Sequence, residues 1–225
     1  MALSIAVDGP VGAGKSTAAD ALARRLGILH LDTGAMYRAV GLAAIEAGIS
    51  LDDAAAIARV NDSIDVIVTF ENGSQVTWLD WWDVSDDIRT PAVSAAASAV
   101  SAVGAVRDSM LERQRAIVQN TDAVLDGRDI GTRVLPDADC KFYLTASPEV
   151  RAERRMKELA AKGDPQPFQK VLEEVKARDL RDSTRELDPL RAADDAIIID
   201  TSRMDLDAVV ERMLTDVQHT LESYE

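Results

Sequence analysis

The fold class of this chain is decided by one stretch near its start, Gly9-Pro10-Val11-Gly12-Ala13-Gly14-Lys15-Ser16. It matches the P-loop pattern, in which backbone N–H groups surround phosphate oxygens, the lysine reaches the terminal phosphates and the serine binds Mg²⁺. A β-type run, residues 3–7, precedes the loop, and the spacing of Ala18, Leu22 and Leu26 predicts a helix after it. The helix N-terminus then faces the anion. The alternative to a P-loop is a glycine-rich turn with a solvated lysine. Such a turn usually lacks a preceding strand and a following helix.

Outward from the loop, short β-type runs alternate with amphipathic helical patterns. This alternation indicates a parallel sheet covered by helices. Strands are predicted at residues 3–7, 28–31, 123–126, 141–145 and 196–200. Helical stretches separate most of them, as crossover connections between parallel strands require. The pattern predicts a doubly wound α/β fold.

One segment interrupts the alternation. Residues 64–82 alternate apolar and polar side chains around Asn72-Gly73, a strong hairpin signal, and predict an antiparallel β-ribbon. The ribbon contains three tryptophans, Trp78, Trp81 and Trp82. We expect them to pack against the inserted region, and a surface for a partner is the alternative. Residues 85–119 predict two consecutive helices, with a start at Thr90-Pro91 and a break at Gly104, although a flexible linker is the alternative.

Composition narrows the class of protein. Among the 225 residues, 47% are hydrophobic and 28% are charged, which is an ordinary globular mixture with enough chain for one large domain. The formal charge of −14 argues against nucleic-acid or anionic-membrane partners, because its field repels polyanions. The single cysteine, Cys140, excludes an internal disulfide and fits the cytosol. We expect no signal peptide and no membrane span.

Polar residues follow the second and third predicted strands, where open α/β sheets place their ligand contacts. Leu31-Asp32-Thr33-Gly34-Ala35-Met36-Tyr37-Arg38 offers a hydroxyl, an aromatic ring and a cation. Asp126-Gly127-Arg128-Asp129-Ile130-Gly131 places two carboxylates and an arginine in a turn. Turn chemistry alone could explain the glycines and aspartates, but it does not explain Arg128.

Arginines also cluster late in the chain. Arg178, Arg181, Asp182 and Arg185 are spaced i, i+3, i+4 and i+7, which predicts one face of a helix. The alternative is a charged helix face that is simply exposed to solvent. Because the chain as a whole is strongly acidic, we favour phosphate binding as the role of these arginines. A second cluster, also suited to phosphate recognition by planar guanidinium groups, consists of Arg151, Arg154 and Arg155.

The order of motifs resembles the bacterial cytidylate kinase family over nearly the whole chain. Two motifs, LDTGAMYRA at 31–39 and DGRDIGT at 126–132, are far more specific than the P-loop. The remaining matches are GPVGAGKS, VSDDIRT, VRDSMLERQR, RAERR, RDLRDSTR and IDTS. The resemblance implies Mg²⁺-dependent transfer of the γ-phosphoryl group of ATP to CMP or dCMP.

The resemblance also implies a domain organisation: one P-loop kinase domain with a five-stranded parallel sheet flanked by helices. The core would comprise residues 1–35, 120–146 and 164–225. An NMP-binding arm would span 36–119 and contain the ribbon, and a short lid would span 147–163. A cytoplasmic monomer would suffice, because every implied site residue lies in one chain.

The site residues carried over from the family fall into three groups. Lys15, Arg128 and Arg181 would be catalytic, and Ser16 would contact the Mg²⁺ that arrives with ATP. ATP would bind Gly9, Pro10, Val11, Gly12, Ala13, Gly14, Lys15, Ser16, Thr17 and Arg154. CMP would bind Thr33, Tyr37, Arg38, Arg107, Arg128, Asp129, Arg178, Asp182 and Arg185. A carboxylate that accepts from the cytosine amino group would let Asp129 set the choice of base.

The sequence departs from the family pattern at two positions, and neither departure argues against the implied activity. Thr33 stands where serine is common and keeps the hydroxyl, and Arg133 stands where an aliphatic residue is frequent. The nearest rival is a related P-loop kinase that acts on UMP, AMP or a non-nucleotide acceptor, which the long arm and the DGRD turn disfavour. A nucleotide-dependent switch would need a base-reading motif such as NKxD, and the sequence has none.

Overall fold

The structure, a computed structural model, describes residues 2–222. Within them the α-helices are α1 Lys15–Leu26, α2 Thr33–Glu46, α3 Ala54–Ser63, α4 Pro91–Val100, α5 Gly104–Val118, α6 Pro148–Ala161, α7 Phe168–Thr184 and α8 Leu206–Glu222. The strands are β1 Ser4–Asp8, β2 Leu29–Asp32, β3 Val66–Glu71, β4 Ser74–Leu79, β5 Trp82–Asp83, β6 Ala123–Asp126, β7 Cys140–Thr145 and β8 Ile197–Asp200.

A five-stranded parallel sheet has the order β2-β6-β1-β7-β8. This confirms the predicted fold class, and each predicted strand agrees with the structure to within one residue at either end. In the register of the central strand, Val7 pairs with Asp126 on one side and Asp8 with Tyr143 on the other. Ile5 and Val7 are wholly buried, as expected for a strand covered by helices on both faces.

The chain divides into two compact units. The second unit comprises Leu3–Ile28 and the residues from Ala123 onward. Its main core packs α1 and α8 against the sheet around Leu22, Phe142 and Met213. A smaller cluster joins α6 and α7 and includes Leu159 and Val171.

The first unit spans Leu29–Asp122 and contains the predicted ribbon. The β3–β4 hairpin turns at Asn72 and Gly73, whose φ angles of 51° and 77° are the positive values that a two-residue primed turn requires. The two helices predicted after the ribbon are present: Thr90 caps α4 by accepting from Val93 N, and α5 begins at Gly104. The linker alternative is therefore wrong.

Three details differ from expectation. The ribbon has a third strand, β5, which pairs with β4. Trp81 and Trp82 are 80% and 77% exposed, so the expectation that they pack against the inserted region is wrong. α7 ends at Thr184, and Arg185 is extended with φ −60° and ψ 145°, so the four-residue stripe is helical only as far as Asp182.

Membrane insertion by a helix is not supported: within residues 2–222 no helix combines the length and the apolar character needed to cross a bilayer.

Candidate active site

The P-loop follows the end of β1 in the second unit and leads into α1. Gly9 has φ 145°, and a Cβ there would lie 2.0 Å from the carbonyl oxygen of Leu144, so only glycine fits. Gly14, in the left-handed region at φ 87°, precedes the first helical residue, Lys15. The first N–H groups of α1 therefore point out of the helix at the loop, which is the arrangement that binds phosphate.

Lys15 is buried, and its Nζ donates to the carbonyl oxygen of Pro10 at 2.9 Å. Burial lowers the pKa of Lys15 to about 7, and the positive charge of Arg128 acts in the same direction. The hydrogen bond to Pro10 keeps the lysine inside the loop, and the lowered pKa means that its ammonium group loses a proton more readily than usual. A polyanion at the loop would favour its charged form.

Ser16 and Asp126 form a pair of oxygen ligands. Ser16 Oγ donates to Asp126 Oδ2 at 2.7 Å, and Asp126 is the last residue of β6 and is buried. A P-loop serine beside a strand-end aspartate is the pair that holds Mg²⁺ in P-loop enzymes. Hydroxyl and carboxylate oxygens suit this hard cation, so the residues fit the ion.

The sequence motif contains Asp126, but sequence reasoning did not assign it to the metal. The signal was available, since an aspartate that ends an apolar strand in a P-loop chain is the expected partner of the P-loop serine. No group of three or more His, Cys, Asp or Glu side chains suited to a metal occurs within residues 2–222. A divalent ion would therefore depend on nucleotide phosphates and water for its other ligands.

Arg128 lies in the turn after β6 and pairs with α7. Its Nε donates to Asp182 Oδ2 at 2.9 Å, and Arg178 Nε lies 3.9 Å from the same oxygen. Although burial raises the pKa of Asp182, the charges of Arg128, Arg178 and Arg185 outweigh that effect and hold it below its usual value. Asp182 is therefore an ionised anchor that orients two arginines.

Asp129 pairs with the arginine that follows α7. Arg185 Nη2 lies 3.2 Å from Asp129 Oδ1, and Arg185 Nε also donates to the carbonyl oxygen of Asp188 at 2.8 Å. Two ion clusters of the second unit thus contain the five acceptor residues predicted there. One cluster consists of Arg128, Arg178 and Asp182, and the other of Asp129 and Arg185.

The first unit contains the other predicted acceptor residues. Thr33 and Tyr37 lie one turn apart on α2, and the guanidinium carbon of Arg107 stands 6.0 Å from the centroid of the Tyr37 ring, within cation–π range. Asp32, to which sequence reasoning assigned no role, caps α2 and accepts from Arg38 Nη2 at 2.6 Å. Arg38 Nε is buried without a hydrogen-bond partner among the described residues.

The arginines of the predicted lid have different environments. Arg154 donates to Thr201 Oγ1 at 3.0 Å, and Thr201 in turn donates to the carbonyl oxygen of Ala13, so Arg154 is placed beside the P-loop. Arg155 bonds Glu158 on the surface. Arg181 is exposed, and its side chain has no hydrogen-bond or ion-pair partner in the part of the chain that the structure describes.

Arg151 is buried and held in an ion pair. It is 3% exposed and makes a two-pronged ion pair with Asp179, at 2.9 and 2.6 Å. Its guanidinium group also donates to the carbonyl oxygens of Ala146 and Val11, the latter in the P-loop. The sequence could not show this, because RAERR looks the same whether its first arginine is exposed or buried.

Comparison with known proteins gives consistent matches. The family model for cytidylate kinase matches residues 5–219. A cytidylate kinase from Pelotomaculum thermopropionicum is 48% identical over 215 residues, covering 95% of both chains, and one from Caldicellulosiruptor saccharolyticus is 46% identical over 212 residues, covering 94% of both. The crystal structure of an uncharacterised protein from Eubacterium ventriosum matches with a TM-score of 0.51 and 14% identity, over 96% of this chain and 98% of that one, a likeness of fold alone.

Proposed function

The chain belongs to the cytidylate kinase family, and on that premise we propose that it transfers the γ-phosphoryl group of ATP to CMP or dCMP, giving CDP or dCDP and ADP. The observation that carries the proposal lies within the second unit. There the P-loop, which leads to Lys15 and Ser16, follows β1, and the turn that holds Arg128 and Asp129 follows β6, the strand that pairs with β1. Donor chemistry and acceptor recognition thus start from adjacent strands.

On the donor side, we propose that residues 9–17 wrap the ATP phosphates and that Lys15 neutralises charge at the transferred group. Ser16 and Asp126 would hold Mg²⁺, which supplies further neutralisation of phosphate charge. Arg154, anchored through Thr201 beside the loop, would contact the nucleotide. Arg181, unlike Arg151, Arg154 and Arg155, has an exposed side chain with no partner among the described residues, so its guanidinium group would be available for the transferred phosphate.

On the acceptor side, we propose three roles: binding of the phosphate, of the sugar and of the base of CMP. In the first unit, Tyr37 and Arg38 would bind the phosphate, and Thr33 and Arg107 would recognise the base. In the second unit, Arg128 would bind the phosphate, Arg178 with Asp182 would bind the sugar, and Asp129 and Arg185 would recognise the base. Since the buried Arg38 Nε has no hydrogen-bond partner within the described residues, an incoming phosphate oxygen would satisfy a donor that is costly to leave unpaired.

No general base is needed for this reaction. The accepting oxygen belongs to a phosphate that is already anionic, and the loose transition state of phosphoryl transfer is stabilised mainly by alignment and charge neutralisation. This agrees with the composition of the second unit's site, which consists of arginines, a lysine and carboxylates. The two histidines of the chain, His30 and His219, belong to none of the motifs above.

We further propose a cytoplasmic monomer that binds only small nucleotides. One chain supplies every proposed site residue, and the charge of −14 disfavours nucleic acids and anionic membranes.

The experiment that tests the function is a coupled assay of ADP release with ATP and each of CMP, dCMP, UMP, AMP and GMP. We expect CMP and dCMP to give the highest kcat/KM. ATP turnover that does not respond to CMP would contradict the kinase assignment and favour a nucleotide switch. A preference for UMP or AMP over CMP would retain the kinase but contradict its acceptor.

A further inference from the structure

We propose that Asp8 is a positioning residue that holds the acceptor turn, residues 127–131, to the strand that leads into the P-loop. Asp8 is the last residue of β1 and directly precedes Gly9. It would bind neither nucleotide. The inference rests on the proposed function, because it concerns how Arg128 and Asp129 are aimed at the acceptor.

The carboxylate of Asp8 makes two hydrogen bonds to the turn. Oδ1 accepts from Ile130 N at 2.8 Å and Oδ2 accepts from Gly131 N at 2.7 Å. Asp8 is 3% exposed, so water does not compete for these bonds. Each oxygen serves a different amide, and the side chain therefore sets the orientation of the turn as well as its distance from β1.

The two amides need this partner. Ile130 and Gly131 open a π-helical turn, Ile130–Val134, whose backbone bonds begin only with the donors Arg133 N and Val134 N, both to the carbonyl oxygen of Asp129. The first N–H groups of any helical turn lack a partner within the turn. Asp8 fills the capping role from a different strand.

The residues proposed to recognise CMP lie between two anchored points. On one side, Gly127 N donates to the carbonyl oxygen of Val7 at 3.0 Å. On the other side, Asp8 holds Ile130 and Gly131. Arg128 and Asp129 span the short interval between these anchors, so loss of the Asp8 anchor would free one end of the interval.

The charge of Asp8 matters at this contact. Burial raises the pKa of Asp8 to about 6, opposed by the N–H groups of Gly131 and Ile130 and by Lys15, and reinforced by Asp129, so the group is mainly ionised at neutral pH. A Cβ on Gly131 would lie 3.4 Å from Asp8 Oδ2 and 3.3 Å from Lys141 Cδ. Both distances are at or close to ordinary van der Waals contact, so the contact is constrained mainly by its need for an ionised carboxylate at Asp8.

The principal test is Asp8→Asn. An amide keeps one acceptor oxygen but turns an N–H group towards one of the two backbone amides. We expect kcat/KM for CMP to fall roughly 10- to 100-fold, mostly through a rise in KM. A small displacement of the groups that position a substrate, here Arg128 and Asp129, has an effect of that size. The Kd of a fluorescent ATP analogue, measured without CMP, should change less than about twofold, since the P-loop backbone remains in place.

The matched control is Asp139→Asn. Asp139 Oδ2 accepts from Ser4 N at 2.8 Å and from Ser4 Oγ at 2.9 Å, so this carboxylate also ties β1 to a neighbouring turn, but at the opposite end of the strand. We expect it to lower Tm without changing KM for CMP. Equal effects of the two substitutions on KM, or an unchanged KM in Asp8→Asn, would overturn the positioning role.

A second variant covers the case in which Asp8→Asn does not fold. Asp8→Glu keeps the charge but moves the carboxylate by one methylene relative to the amides of Ile130 and Gly131, and we expect a rise in KM for CMP with little effect on ATP binding. An unchanged KM in that variant would also overturn the proposal. Failure of the proposed function is distinguishable, because it would appear in the wild-type protein as an absence of CMP-dependent ADP release.

Discussion

The carboxylate of Asp129 lies 3.2 Å from Arg185 Nη2, and both side chains are less than one-tenth exposed. Arg185 reaches this position because α7 ends at Thr184 and the chain becomes extended. The ion pair occupies only part of the hydrogen-bonding capacity of the carboxylate, which has about four acceptor sites. Asp129 can therefore be held by Arg185 and still accept from a base amino group.

Replacement of Asp129 by alanine should narrow the ratio of kcat/KM for CMP to that for UMP. Cytosine presents an amino group where uracil presents a carbonyl oxygen, so only CMP loses an acceptor. We expect CMP to lose about 1–3 kcal/mol of transition-state stabilisation relative to UMP, or roughly 10- to 150-fold. The measurement is kcat/KM for both nucleotides in wild type and variant.

The matched control for this substitution is Arg133→Ala, in the same turn but about half exposed. It should leave the ratio unchanged. If Asp129→Ala lowers activity on both pyrimidine nucleotides by one common factor, then Asp129 only supports Arg185 and the turn.

Replacement of Arg181 by alanine should lower kcat far more than it raises KM for CMP. An arginine that acts on charge at the transferred group contributes roughly 10³-fold or more to turnover. Lys176→Ala, which removes another exposed cation from α7, is the control and should have little effect. A change confined to KM for CMP would place Arg181 in the acceptor pocket instead.

Replacement of Lys15 by methionine should abolish turnover and stabilise the protein in the absence of nucleotide. The pKa of Lys15 is lowered to about 7 in the folded state, from 10.5, so folding opposes its charge. Each unit of pKa shift corresponds to about 1.4 kcal/mol, so removal of the buried charge should stabilise the folded protein by up to roughly 4 kcal/mol.

The sign of the pH dependence follows from linkage. Between about pH 7 and 10.5 the unfolded state binds more protons at Lys15 than the folded state, so the cost of burying the lysine diminishes as pH rises. The gain in Tm for Lys15→Met over wild type should thus be greatest at pH 7 or below and should shrink towards pH 10. A gain that increases with pH would show that burial of the lysine charge is not its cause.

Removal of Arg151 should destabilise the second unit strongly. Its two-pronged pair with Asp179 joins α6 to α7, and a methionine at position 151 would leave that carboxylate without its partner. We expect a loss of about 3 kcal/mol in the free energy of unfolding, with partial recovery in Arg151→Met/Asp179→Leu. Arg155→Ala, which breaks a surface pair with Glu158, should cost less than about 1 kcal/mol, and equal losses would contradict the structural role.

Replacement of Trp81 by glycine should stabilise the first unit. Asp80 and Trp81 form the two-residue turn between β4 and β5, with φ angles of 47° and 77°, and an L side chain in that region costs about 1–2 kcal/mol. Glycine removes that strain but adds roughly 0.5–1 kcal/mol of backbone entropy, so we expect a net gain of up to about 1 kcal/mol.

Gly73→Ala is the control for the turn, since Gly73 occupies the equivalent place in the β3–β4 hairpin with φ 77°. It should destabilise the unit, as measured by urea unfolding. A loss of stability in Trp81→Gly would mean that the exposed indole makes a contribution which its 80% exposure does not suggest.

Local patterns determined the secondary structure and much of the candidate site. Strand bounds were predictable because apolar runs of four to six residues in this chain are bounded by glycine, proline and aspartate, and helix starts at Pro91 and Pro148 follow capping residues that act within one turn. The P-loop was predictable because its glycines and its lysine act through their own backbone and side chain. The roles of Arg128, Asp129 and Arg181 came from a family resemblance and stay predictions.

Only the tertiary structure decided which polar side chains are joined. The partners of Asp8 lie 122 and 123 residues away, those of Ser16 and Arg151 lie 110 and 28 residues away, and no periodicity links such positions. Whether an arginine is exposed to solvent, as Arg181 is, or buried in an ion pair, as Arg151 is, depends on what packs over it. Burial and long-range hydrogen bonds arise only when distant segments of the chain pack together. The sequence of this protein therefore shows which polar residues are present, but not which of them are bonded to each other.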